Sequence, residues 1–200
     1  MSERFKDPPE QEMVAHDVNA LTERLRDLEI RFHVSRRFVL EIEKCLHHGQ
    51  ILAALSVGLT CIEILLRESL VKHRFGSRRN SHQPSVHAQF YEQLRNAEED
   101  KHLSVPKMIE ELKSNRVLSE HEATGIKNVY ERLRIPLHHG IVGRYVRERS
   151  CPVLRPVVEA EGFALFSDPG DFESLIENQG LEELGEVIDQ ISAIVSKGAV

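Results

Sequence analysis

The chain has 200 residues, a net charge of −6, 40% hydrophobic and 29% charged residues, so it is long enough to bury a sizeable core as one domain or two small ones. Its composition is ordinary for a globular protein, and its acidity argues against a surface built to hold long duplex DNA by charge alone. Trp is absent, aromatics are 6%, and apolar residues recur at three and four rather than two, which points to an all-α fold.

In chain order, Met1 to Pro9 is polar with two consecutive prolines and is expected to be a disordered N-terminus spanning 1–9. From Glu10 to Phe32 the residues Val14, Val18, Leu21, Leu25, Leu28 and Phe32 follow a 4, 3, 4, 3, 4 spacing, an amphipathic helix within 10–35. A bundle helix packed on its own domain is the first reading and pairing with a second copy the alternative, since a stripe under three heptads does not decide between them. Ser35 can cap the next helix, with Phe38, Val39, Ile42 and Leu46 on one face and His47-His48-Gly49 as its end.

A long helix from Gln50 to about Arg74 is apolar on most sides and should lie at the bundle centre. It carries Glu63, whose carboxylate needs a partner in such a setting; Arg67, four residues on, is the local one. Gly76 to Ser85 reads as a loop whose basic residues can flank a nucleic-acid path or simply be solvated. A weaker helix with Phe90, Tyr91 and Leu94 follows. Pro106 suits a helix start before Met108, Ile109 and Leu112, and Ser119-x-x-Glu122 is a capping box. Ile126, Val129, Tyr130 and Leu133 then form an apolar face.

That helix leads into Leu133-Arg134-Ile135-Pro136-Leu137-His138-His139-Gly140. Pro136 and Gly140 are expected to interrupt it, leaving Arg134 at a helix end and His139 in a bend or a new first turn. A guanidinium presents a planar fork that matches phosphate oxygens, and an imidazole titrates near neutrality. Together they suffice for cleaving a phosphodiester whose own 2′-hydroxyl attacks.

The sequence from about 36 to 142 resembles the HEPN domain family. Arg134, four residues and His139, after an amphipathic helix, are similar to its R-x4-6-H signature. Ala53-Ala54-Leu55 through Cys61-Ile62-Glu63-Ile64-Leu65-Leu66-Arg67-Glu68 resembles its buried glutamate-bearing helix. Ile135 departs from the polar residue, often asparagine, that many members carry after the arginine. The resemblance implies a HEPN-like up-and-down helical bundle over 36–148 with N- and C-terminal helical extensions. It also implies a homodimer whose Arg–His motifs meet across the interface, and metal-independent RNA cleavage without cofactor. His139 would act as acid or base and Arg134 would hold the phosphate. Glu63, with Arg134 as its family-based partner, and His138 would support them, His138 being the less favoured imidazole by spacing. A toxin or defence setting with an antitoxin-like protein partner fits prokaryotic relatives. A catalytically silent HEPN-like interaction module stands beside the enzyme as the alternative.

Charge is uneven. From Asn128 to Pro156 six arginines face two glutamates, while from Val157 onward there are ten acids and one lysine. Arg132, Arg144 and Arg147 are therefore candidate RNA contacts, the alternative being solvated faces. The C-terminal part, 149–200, holds a Pro/Gly/Val-rich arm or small hairpin over Ser150 to Gly170. A last helix over Leu181 to Ser196 has Leu184, Val187, Ile188, Ile191 and Val195 on one face, stopped near Lys197-Gly198.

Cys45, Cys61 and Cys151 show no CxxC spacing and read as free thiols in a reducing compartment. Despite eleven histidines there is no metal-ligand motif, phosphate loop or nucleophile elbow. No leader is evident and no apolar run reaches the ~18 residues of a membrane span. A cytoplasmic location, with no membrane partner, is the expectation.

Overall fold

In a computed structural model the described residues are 8–28, 33–75, 84–138 and 169–199. They form seven α-helices and no strand, an all-α bundle. The helices are α1 (Pro8–Arg26), α2 (His33–His47), α3 (Ile51–Phe75), α4 (Pro84–Glu99), α5 (Val105–Ser114), α6 (Glu120–His138) and α7 (Pro169–Ile194), the last running into a π-helical turn, Val195–Ala199. The expectations for 1–7, Phe32, the loop over 76–83, His139, Gly140, Arg144, Arg147, Cys151 and the 150–168 arm lie outside the described residues.

The apolar repeat of α3 dictates its position. It buries residues from Ile51 to Val71 on nearly every side and touches α2, α4, α5, α6 and α7. Cys61 lies in that core, and burial followed by the charge of Glu68 pushes its thiol up to about 12, so it stays protonated. Among the described residues no helix is long and apolar enough to cross a membrane.

The terminal helices complete the same core rather than extend from it. Leu21 and Leu25 of α1 are buried with Leu184, Val187, Ile188 and Ile191 of α7 and the α3 residues. The heptad stripe of α1 is thus spent inside the chain where its side chains are described. Packing of α7 on α3 depends on two glycines. A Cβ on Gly58 would stand 2.7 Å from Cγ1 of Val187, and one on Gly180 2.7 Å from Cγ2 of Ile51. Pairs 51–180 and 58–187 share one offset, so α3 and α7 run parallel with seven residues between notches. The final helix begins twelve residues before Leu181, because Pro169 is a favourable first-turn residue and local Gly/Pro content does not forbid a helix that tertiary contacts support.

Two helix ends follow local rules. After α2, Gly49 adopts φ +66°, its N–H reaching the Leu46 carbonyl at 3.0 Å and that of Gln50 the Cys45 carbonyl at 2.8 Å, a Schellman motif that needs glycine. At the start of α6 the capping box is complete: Ser119 N–H donates to Glu122 Oε2 at 2.8 Å and Glu122 N–H to Ser119 Oγ at 3.3 Å. Lys197 from the π-helical turn also reaches Glu122, at 2.8 Å. Although burial alone would raise the Glu122 carboxyl, the Lys197 and Ser119 hydrogen bonds and the lysine charge hold it at about 2. Ser119→Ala is expected to cost about 1 kcal/mol of stability, read as a lower midpoint in urea at unchanged slope.

Two expectations are corrected. Ser35 does not cap α2; it lies within the first turn, fully buried, and its hydroxyl donates to Glu68 Oε2 of α3 at 2.5 Å. The helix starts at His33, so Ser35 is a residue of the first turn and not the residue that precedes it, where a cap must stand. Nor does Pro136 end α6, which continues to His138. Proline forgoes the hydrogen bond to the Arg132 carbonyl, but Ile126, Val129, Tyr130 and Leu133 anchor the preceding turns in the core, and that packing outweighs the local cost.

Candidate functional site: a guanidinium held between two helices

Helical periodicity places Glu63 and Arg67 one turn apart on α3, and Tyr130 and Arg134 one turn apart on α6. Packing of α6 on α3 brings the two pairs together across 71 positions of sequence. Glu63 is the hub. Its Oε1 accepts from Arg67 Nη2 at 3.0 Å. Its Oε2 accepts from Arg134 Nη1 at 3.0 Å and from the Tyr130 hydroxyl at 3.1 Å. The Tyr130 oxygen in turn accepts from Arg134 Nη1, and the guanidinium carbon lies 5.1 Å from the centre of the Tyr130 ring.

Burial grades across this cluster. Tyr130 is 5% exposed and the Arg67 side chain 13%, whereas that of Arg134 is 40% exposed. The cluster therefore has a closed inner side and an open outer one, with Arg134 at the mouth. Burial would raise the Glu63 carboxyl, but hydrogen bonds from Arg67 and Tyr130 and the two guanidinium charges prevail and hold it below the usual carboxylate range. Tyr130 moves the other way. Burial and the Glu63 charge raise its phenol well above the ordinary value against the opposing pull of Arg134, so it remains a donor. Two guanidinium charges against one carboxylate leave the quartet cationic.

No protein-family model, curated protein or solved structure matches this chain. The functional reading therefore rests on this geometry and on the motif residues.

Both partners proposed for Glu63 are present at once, one on each carboxylate oxygen. Arg134 is not at a helix terminus but one turn inside it, and His138 is the last residue of α6, one turn beyond Arg134. His139, Arg144 and Arg147 lie outside the described residues. Arg132 faces α7, where its guanidinium meets Glu186 and stands 3.7 Å from Glu183. Two carboxylates thus stand beside its charge, which accounts for part of the acidic C-terminal segment.

Sequence reasoning missed Tyr130 as a member of the cluster. It counted only as an apolar residue on the face of α6. Its four-residue spacing to Arg134 was the available signal, since a tyrosine and an arginine one turn apart can share both a hydrogen bond and a ring contact.

Proposed function

We propose that this chain is a HEPN-like RNA-processing protein, a metal-independent endoribonuclease of toxin or defence type whose Arg134 and His139 are duplicated across a homodimer. The observation that carries this reading is the anchoring of Arg134 by Glu63 and Tyr130, which supports a half-exposed, pre-oriented cation four residues before the first of the two histidines. A cation held in place before the reaction costs little reorganisation when charge develops on phosphate oxygens. An imidazole then serves as base for the 2′-hydroxyl, and its counterpart from the second copy as acid for the leaving 5′-oxygen. The products are a 2′,3′-cyclic phosphate and a 5′-hydroxyl, and no redox or group-carrying cofactor enters. RNA is the substrate, a cytoplasmic antitoxin-like protein the natural restraint.

A second reading is favoured by one specific feature. The Arg134 Nη1 is tied to both Glu63 and Tyr130 between α3 and α6, as in a helix-pinning arginine of a catalytically silent interaction module.

Incubation of labelled RNA with the purified protein in EDTA separates them. Wild type is expected to cleave, with cyclic phosphate ends. His139→Ala is expected to slow cleavage by about 10²–10⁴, and Arg134→Ala by about 10²–10³, with His138→Ala far less impaired. Intact RNA with the wild-type protein, over a range of RNA sequences, removes the enzyme and leaves the interaction module.

A further inference from the structure

We propose that Tyr130 is the positioning residue of this site: its hydroxyl and ring fix the Arg134 guanidinium so that one edge is bound internally and the other is presented to a phosphate. The inference deepens the ribonuclease reading and rests on it.

An arginine side chain has four rotatable bonds, and a half-exposed one samples many rotamers. Here two different contacts from Tyr130 restrict it. The phenol oxygen accepts from Nη1, and the guanidinium carbon lies 5.1 Å from the ring centre. Glu63 Oε2 takes the same Nη1 at 3.0 Å and the Tyr130 hydroxyl at 3.1 Å, closing a three-membered ring of hydrogen-bonding groups. Both of these bonds to Arg134 use Nη1. Among the described residues, Nε and Nη2 make no hydrogen bond, and these two donors form the parallel pair that grips two oxygens of one phosphate.

A tyrosine kept only for packing would need one partner for its hydroxyl, and Glu63 already provides it. The second contact, to Arg134, is what packing does not require. Tyr130 is 5% exposed while the Arg134 side chain is 40% exposed, so the buried member is well placed to hold the exposed one. Nor does the phenol share Arg134's attraction for substrate: it lies behind the guanidinium, on the Glu63 side. Its role is therefore to orient a group that contacts RNA rather than to contact RNA itself.

Tyr130→Phe removes one oxygen and retains the ring, so the core is preserved. In the RNA cleavage assay, kcat of this variant is expected to fall about 10- to 100-fold, with KM changed by less than about threefold. A merely structural tyrosine would lower the thermal midpoint and leave kcat per folded molecule unchanged, and that result overturns the proposal. The second measurement does not depend on cleavage. In 15N spectra of the arginine side chains, the Arg134 Nη signals, assigned through Arg134→Lys, are expected to be separate in wild type and merged by rotation in Tyr130→Phe. If the wild-type protein cleaves no RNA, the ribonuclease reading fails by itself and this spectrum decides the positioning role. Merged signals support it, and identical spectra for the two proteins overturn it.

Discussion

Gly58→Val is expected to lower the stability of the bundle by about 3 kcal/mol, with Gly58→Ala costing about 1 kcal/mol. At Gly58 a single added carbon meets Val187 Cγ1 at 2.7 Å, closer than packed carbons approach. Val187 is fully buried and β-branched, so it has little rotamer freedom with which to yield. Alanine gains about 1 kcal/mol of helix propensity over glycine, which offsets part of the crowding; valine adds more bulk and gains less propensity. In a chain of this size the valine variant should melt roughly 6–12 °C lower. The decisive comparison is a double-mutant cycle. Gly58→Ala combined with Val187→Ala should cost less than the sum of the two by about 1 kcal/mol, because the second change removes the methyl that the first one strikes. Strict additivity would show that α3 and α7 do not meet at this notch.

Replacing Glu63 by alanine is expected to cost about 2 kcal/mol, roughly half of what breaking a fully buried ion pair costs, since the carboxylate is 28% exposed. The loss comes from what remains. The Arg67 side chain is 13% exposed, and its Nε already lacks a hydrogen-bond partner among the described residues. Without Glu63 its Nη2 loses its acceptor as well, the Tyr130 hydroxyl loses its acceptor, and Arg134 keeps only the Tyr130 oxygen. The pH dependence has a definite sign. Glu63 binds its proton less readily in the folded protein than in the unfolded chain, so the unfolded state takes up more protons as pH falls. Its contribution is complete above the usual carboxylate range, near 4.5, and is lost as pH drops from there through the lower folded value. Glu63→Gln should therefore be less stable than wild type at neutral pH, and the gap should narrow on acidification. Because Glu111 and Glu122 are lowered as well, the difference between the two proteins, rather than the acid limb of either, isolates Glu63. A gap that stays constant down to pH values below the folded carboxylate range would mean that this carboxylate is not the hub of the cluster.

These two predictions concern different scales of the same molecule. Gly58 sits where α7 docks on α3, and Glu63 sits five residues further on, where α6 docks on the same helix. The site is thus built on the helix with the most complete burial, which is why Arg134, though half-exposed, has a fixed support. Removing the last helix should disturb the Arg134 cluster indirectly, through α3.

Local chemistry on the sequence was sufficient for much of this. The apolar repeat of α3 placed it at the centre, because a helix apolar on all sides has nowhere else to go. Gly49 and the Ser119–Glu122 box marked helix ends, because their signals act within a single turn. Arg134 stood out for its residue type and spacing, and the need of Glu63 for a cation followed from its apolar surroundings. What the sequence could not decide were outcomes set by a distant partner. Ser35 looks like a cap, but the helix starts before it, at His33, and its buried hydroxyl donates instead to Glu68 of the next helix. Pro136 looks like a stop until the buried turns before it carry α6 onward. The pairing of Arg132 with Glu183 and Glu186 of α7 is invisible in the sequence, and Tyr130 looks like core until α3 presents Glu63 to its hydroxyl. Each of these involves a polar or conformationally restricted residue whose preference at short range is worth about 1–3 kcal/mol, an amount that one well-placed contact across the bundle can reverse.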